Sequence, residues 1–228
     1  AVLYPPNLVL AFAQGAAGAW ELPLVGLEWM AALHVALAAI GTYWFVRHLT
    51  RSRGPAFAAG LVFALSGYLT SYPMQQLAIL ETIAWLPLVL LFVTLAIERR
   101  RLLHWVLGAL VLGVAILAGH PQTMLHIGYL ILAYALWFAY ARSGAGSLGS
   151  RLRTMRAPLL GLALLFALAV GLALVQLLPS YELARFSTRA SVDYAYVQAG
   201  FHPREIAGLL LPDLQGGKPM YVGIAGLA

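Results

Sequence analysis

Apolar runs alternating with short polar breaks organise this chain. Six runs approach or reach the roughly 20 apolar residues that cross a hydrocarbon core: residues 24–46, 56–72, 78–97, 103–119, 122–141 and 157–178. The second and fourth are the shortest. No charge falls in the central part of any run, and within lipid a backbone satisfies its own N–H and C=O groups as a helix or a closed barrel. Runs this long predict helices. The expected fold class is an all-α integral membrane bundle of about six transmembrane helices, with short interfacial helices on the outer face.

The flanking segments follow a different pattern. Residues 7–19 are apolar but too short to cross, and Pro5-Pro6 and Glu21-Leu22-Pro23 punctuate their two ends. A short outer-face or re-entrant helix is expected there. Residues 179–220 read as an outer loop with two interfacial helices, Ser180–Ala190 after Pro179 and Pro203–Leu211. Pro203 sits in a first turn, where its missing N–H costs little, and Gln215–Pro219 is a turn. Tyr221–Ala228 patterns as the start of a further membrane helix. With Ala1 in place of an initiating Met, the 228 residues are expected to be an internal piece of one longer transmembrane domain.

Charge assigns the sides. Of the 14 Lys and Arg residues, ten fall in three clusters, Arg47–Arg53, Arg99–Arg101 and Arg142–Arg156, one after every second run. Residues 1–23, 72–81 and 119–122 carry none. Basic loops stay in the cytoplasm, which puts the opposite helix ends, with their polar residues, on the outer face. Composition agrees: 62% hydrophobic and 10% charged, against about half and a quarter for soluble domains. The net charge of +6 is therefore a loop bias facing the lipid bilayer, and no nucleic acid partner is expected. Without cysteine there are no disulfides or thiolate metal sites. No Walker loop, GxGxxG turn or HExxH helix occurs.

Candidate chemistry lies at the outer ends. Glu81 falls one turn inside the third run, ahead of Trp85 and Pro87, where a helix N-terminus favours negative charge. It reads either as a base or cation ligand at the mouth of the bundle or as a carboxylate resting among headgroups. His120-Pro121-Gln122 forms the turn between the fourth and fifth runs, with Pro121 at a first helical position and His120 as cap. Gln122 and His126 share a face at i, i+4 spacing. His120 and His126 are poorly spaced for two metal ligands on one helix, so hydrogen bonding to a ligand or to neighbouring helices fits them better. Glu182, Arg185 and Arg189 stand at i, i+3 and i+7. They form either a phosphate clamp, since guanidinium forks match phosphate oxygens, or a face among bulk headgroups in which Glu182 pairs with Arg185. His34, His48 and His104 read as structural, Trp and Tyr residues as interfacial belts, and Gly41, Gly67, Gly108 and Gly113 as close-packing positions.

Tyr4-Pro-Pro-Asn-Leu8, Ala64-Leu-Ser-Gly-Tyr68, Ala84-Trp-Leu-Pro-Leu88, Gly119-His-Pro-Gln122, Leu178-Pro-Ser-Tyr-Glu182 with Arg189, and Tyr221-Val-Gly223 occur in that order. Together they resemble the YfhO-type family of bacterial polytopic membrane proteins, which is similar to the GT-C glycosyltransferases. The resemblance implies a multi-pass protein of the bacterial cytoplasmic membrane that takes a polyprenyl-phosphate-linked sugar and a glycan or cell-wall acceptor. It implies Glu81, His120 and Glu182 as catalytic candidates. Tyr4, Asn7, Gln76, Gln122, His126, Tyr181, Arg185 and Arg189 become candidates for substrate binding. Such sites can take a divalent metal, which nothing in this sequence demands. The family's usual catalytic carboxylate would lie upstream of Tyr4, and Glu21 shares that loop outside the motif. The rival classes are a lipid-carrier flippase, which needs polar groups deep in the bundle, and a non-catalytic assembly component.

Overall fold

A computed structural model of the chain describes residues 3–16, 18, 24–71, 76–144 and 147–187. Its helices are α1 (Pro5–Ala16), α2 (Leu24–Thr50), α3 (Arg53–Ala64), α4 (Leu77–Ile83), α5 (Leu86–Arg99), α6 (Leu102–Leu117), α7 (Pro121–Ala141) and α8 (Leu148–Arg185). No strand occurs among the described residues. Four spans are long and apolar enough to cross a membrane: Leu24–Thr50, Leu77–Arg99 (α4 with α5), Pro121–Ala141 and Gly149–Arg185. The apolar α6 is shorter.

The helices depart from the apolar pattern in three places, each with a local cause. The run expected over 56–72 is helical only to Ala64 and continues to Ser71 as turns. There the hydroxyls of Ser66, Thr70 and Ser71 donate to the carbonyls of Phe63, Ser66 and Gly67, competing with the helical ladder. The run at 78–97 divides into α4 and α5 because Pro87 has no N–H to give; Leu88 and Val89 both donate to the Trp85 carbonyl instead. The separate interfacial helix expected after Pro179 does not form within the described residues, because α8 runs unbroken through Pro179 to Arg185. A proline removes one backbone donor and clashes with one carbonyl, which the long apolar ladder on either side outweighs. The expectations for Pro203–Leu211, Gln215–Pro219 and Tyr221–Ala228 lie outside the described residues.

α6 is the central helix, packed most extensively on α8 and α5, while α2 pairs with α3 and α5. The main core joins Val93 of α5, Leu112 of α6, Ile131 of α7 and Leu165 of α8. Small residues set the spacing. A Cβ added at Gly113 would meet Leu172 at 3.2 Å, and one at Gly108 would meet Leu165 at 3.0 Å. At Gly60 it would lie 2.8 Å from the Ala39 carbonyl oxygen, so α2 and α3 approach backbone to backbone. Close contact of this kind matters because apolar surroundings give helices no hydrophobic reason to associate. The perimeter is apolar, with Trp29, Trp44, Phe57, Leu160 and Val175 exposed, a surface suited to lipid tails.

Successive helices reverse direction and sort the polar residues into two groups. One end collects the arginine clusters. There His48 and Arg142 both bond Glu98, at 2.7 Å and 2.5 Å, and Arg142 also lies over the Phe138 ring. The opposite end collects α1, the starts of α2, α4 and α7, and the last turns of α6 and α8.

Candidate functional site

Two side-chain contacts link the start of α1 to α4 and the turn after it at this second end. Tyr4 and Asn7 are three apart at the start of α1, and Glu81 and Trp85 are four apart along α4 and the turn after it, so each pair shares one helical face. Tyr4 meets Trp85 and Asn7 meets Glu81, so the two pairs run in opposite order. Trp85 Nε1–H donates to the Tyr4 hydroxyl at 2.8 Å, and Asn7 hydrogen-bonds the Glu81 carboxyl. The network continues into α2. His34 Nδ1–H donates to the Met30 carbonyl at 2.6 Å, which leaves Nε2 to accept from the Tyr4 hydroxyl at 2.5 Å. Every polar atom along the Trp85–Tyr4–His34–Met30 chain thus has a partner, and His34 is fixed as the neutral Nδ1–H tautomer. Tyr4 is wholly buried among Met30, Leu117, Ala118 and Ala173. Burial pushes its hydroxyl well above the ordinary tyrosine range, the Trp85 bond offsets part of that rise, and the nearby Glu81 charge adds to it. Tyr4 is therefore a donor, not a phenolate.

Glu81 differs from this chain in one respect. It is 2% exposed, yet among the described residues its Oε1 has no hydrogen-bond partner. A buried acceptor left in that state costs about 1–3 kcal/mol. The same end holds a second such atom. Gln176 of α8 donates through Nε2 to the Leu117 carbonyl at 3.1 Å, and its Oε1 is buried and unpartnered.

The other expected residues take several positions. His120 caps α7: its Nδ1 accepts from the Thr123 N–H at 3.2 Å and from the Thr123 hydroxyl at 2.7 Å. Burial holds its imidazole below the ordinary histidine range, in keeping with a neutral cap. His120 lies two residues beyond Ala118, which packs against Tyr4's cluster, but its bonds go to Thr123, not Glu81. Gln122 and His126 are exposed on α7, and Gln76 is exposed at the start of α4. Tyr181, Glu182 and Arg185 are exposed on the last turn of α8, one turn past Leu177, which packs into the Tyr4 cluster. Among the described residues Glu182 and Arg185 form no ion pair. Arg189 lies outside the described residues. The structure thus joins Tyr4, Asn7 and Glu81 directly and leaves His120, Gln122, His126, Gln76, Tyr181, Glu182 and Arg185 around the same end. Among the described residues no three His, Asp or Glu side chains gather as metal ligands.

No family model matches the chain, and neither does any curated protein or solved structure. The site therefore rests on its own geometry.

Sequence reasoning missed His34, Trp85 and Gln176 as site residues. For His34 the signal was present: an ionisable group in mid-run is costly in a membrane and tends to have a role. Trp85 was read as an interfacial ring, and its hydrogen-bond partner lies 81 residues away, beyond any spacing rule.

Proposed function

We propose that the chain belongs to a GT-C-like membrane glycosyltransferase of the bacterial cytoplasmic membrane. It transfers a sugar from a polyprenyl-phosphate carrier to an extracytoplasmic cell-wall or polysaccharide acceptor. In this reading the arginine-rich end is cytoplasmic and the Glu81 end faces outward. The chain crosses six times: through α2, through α3 with its following turns, through α4 with α5, and through α6, α7 and α8. The observation that carries the reading is Glu81, a buried carboxylate with one oxygen held by no protein donor. In the resemblance Glu81 matches a family position, and Asn7 lies in the Tyr4–Leu8 motif.

The chemistry needs little else. Glu81 accepts the proton of an acceptor hydroxyl as that oxygen attacks the anomeric carbon of the donor sugar. The anomeric carbon–oxygen bond to the carrier breaks, and the electron pair leaves with the phosphate. Cationic donors stabilise that developing charge, and Arg185 and Arg189 are the candidates. No step is routed through a metal. One observation favours a second reading, the lipid-carrier flippase: His34 is buried well inside α2, a polar group deeper than a rim site needs.

The test reconstitutes the full-length protein in vesicles with a labelled polyprenyl-phosphate sugar. Protein-dependent release of carrier phosphate, lost in Glu81→Gln, supports transfer. Intact donor appearing in the opposite leaflet replaces it with the flippase, and neither event leaves an assembly component.

A further inference from the structure

Among the described residues two buried oxygens at the Glu81 end lack donors, Glu81 Oε1 and Gln176 Oε1. Both are acceptors. Gln176 is fixed by its bond to Leu117, a residue of the Tyr4 cluster, so both oxygens belong to the same end of the bundle. What completes them must bring hydrogen-bond donors. A phosphate diester or dianion is acceptor-only and carries the same sign of charge as Glu81. A sugar brings several hydroxyl donors and no charge.

The surroundings point the same way. Among the described residues the groups bonded around Glu81 and Tyr4 are Asn7, His34, Trp85 and the Met30 carbonyl, with no Lys or Arg among them. His34 is tied up as a neutral ring, and Tyr4 is a protonated hydroxyl already committed to His34. Trp85 is half-buried one turn from Glu81, and indole rings pack well on the C–H faces of neutral sugars. Arg185, on the last turn of α8, is exposed and forms none of these bonds.

Resting on the transferase reading, we infer that the Glu81 end forms the subsite for the neutral acceptor sugar, with Glu81 Oε1 and Gln176 Oε1 taking its hydroxyl donors. The carrier phosphate binds elsewhere, on the exposed rim. Glu81 thereby both binds the acceptor hydroxyl and receives its proton.

Dicyclohexylcarbodiimide, which seeks carboxyls in apolar surroundings, supplies a readout apart from turnover. The full-length protein in vesicles is treated with it, and labelling of Glu81 and Glu98 is followed by peptide mass spectrometry. The ligands are a panel of methyl glycosides (glucoside, galactoside, mannoside, N-acetylglucosaminide) and, separately, undecaprenyl phosphate. At about ten times its dissociation constant a bound glycoside slows Glu81 labelling about tenfold, leaves Glu98 unchanged, and loses its affinity in Gln176→Leu. Protection by undecaprenyl phosphate alone, or by no ligand, overturns the assignment. Transfer from a labelled donor is measured in the same vesicles. Transfer without glycoside protection overturns this subsite and spares the transferase, whereas protection without transfer keeps a sugar site and removes the transferase.

Discussion

The two ends of the bundle each hold a carboxylate, and they treat it in opposite ways. Glu98, at the arginine-rich end, is bonded on both oxygens, by His48 from α2 and Arg142 from the end of α7. Its side chain is 20% exposed, so water shares in its solvation. Glu81 is more deeply buried, with a bond from Asn7 and, among the described residues, one oxygen without a donor. The fold meets both oxygens of one carboxylate and, among the described residues, leaves an oxygen of the other without a donor. Glu98 clamps three helices together. Glu81 is left incomplete, and the transferase proposed above assigns that open oxygen to a ligand.

Substitution separates the two. In the proposed transferase, Glu81→Gln keeps the shape and the Asn7 contact but removes the proposed base, so the transfer rate should fall by about 10²–10⁴ while the midpoint of thermal unfolding stays level or rises. If that variant instead fails to fold, Glu81 is a clamp like Glu98 and the contrast collapses. Tyr4→Phe acts on the paired network beside it. It strips the partner from buried His34 Nε2 and from half-buried Trp85 Nε1 and costs about 2–3 kcal/mol, most of it from the His34 side. Denaturation of the reconstituted protein reads this, and a loss under about 1 kcal/mol would mean that water replaces the hydroxyl. Glu98→Gln sits lower on the scale. Arg142 is half-exposed and finds water, so about 1–2 kcal/mol is expected, with transfer unaffected. A fall in transfer matching that of Glu81→Gln would show the ends to be coupled rather than divided.

The apolar runs made most of this architecture legible. α2, α7 and the α4–α5 pair fall where long uncharged stretches stand, because a membrane-length run has few other ways to satisfy its backbone. Gly41, Gly108 and Gly113 sit at helix contacts as their small size suggested, packed against Leu88, Leu165 and Leu172. The boundaries were less legible. Serines and threonines dissolve the end of α3 into turns, and Pro179 bends to the ladder of α8, outcomes decided by local competition that hydropathy does not register. Of the site, Tyr4, Asn7 and Glu81 were visible as polar residues at one end of the helices. That Tyr4 pairs with Trp85 and Asn7 with Glu81 is a tertiary fact, set by contacts between residues more than 70 positions apart. The triad at Glu98 stayed hidden for the same reason, since His48 and Glu98 are 50 residues apart.

His120 tests whether a residue at the Glu81 end can be structural in the manner of Glu98. Its Nδ1 lone pair caps α7, and replacing a capping side chain by alanine costs about 1 kcal/mol. Acid should have a related effect. Burial lowers its folded value beneath the ordinary histidine value of about 6.5, so as pH drops below that point the unfolded chain binds a proton the folded one resists. Stability contributed by the neutral ring is complete above about pH 6.5 and is lost progressively on acidification below it. His120→Asn keeps a capping oxygen without a titrating ring. It should match the parent at pH 7.5 and exceed it at pH 5.5 in thermal unfolding, while His120→Ala is weaker at pH 7.5. If the parent and His120→Asn lose the same stability on acidification, the pH response belongs to another group. If His120→Asn also abolishes transfer at pH 7.5 with its fold intact, His120 serves the chemistry and the Glu81 end extends onto α7.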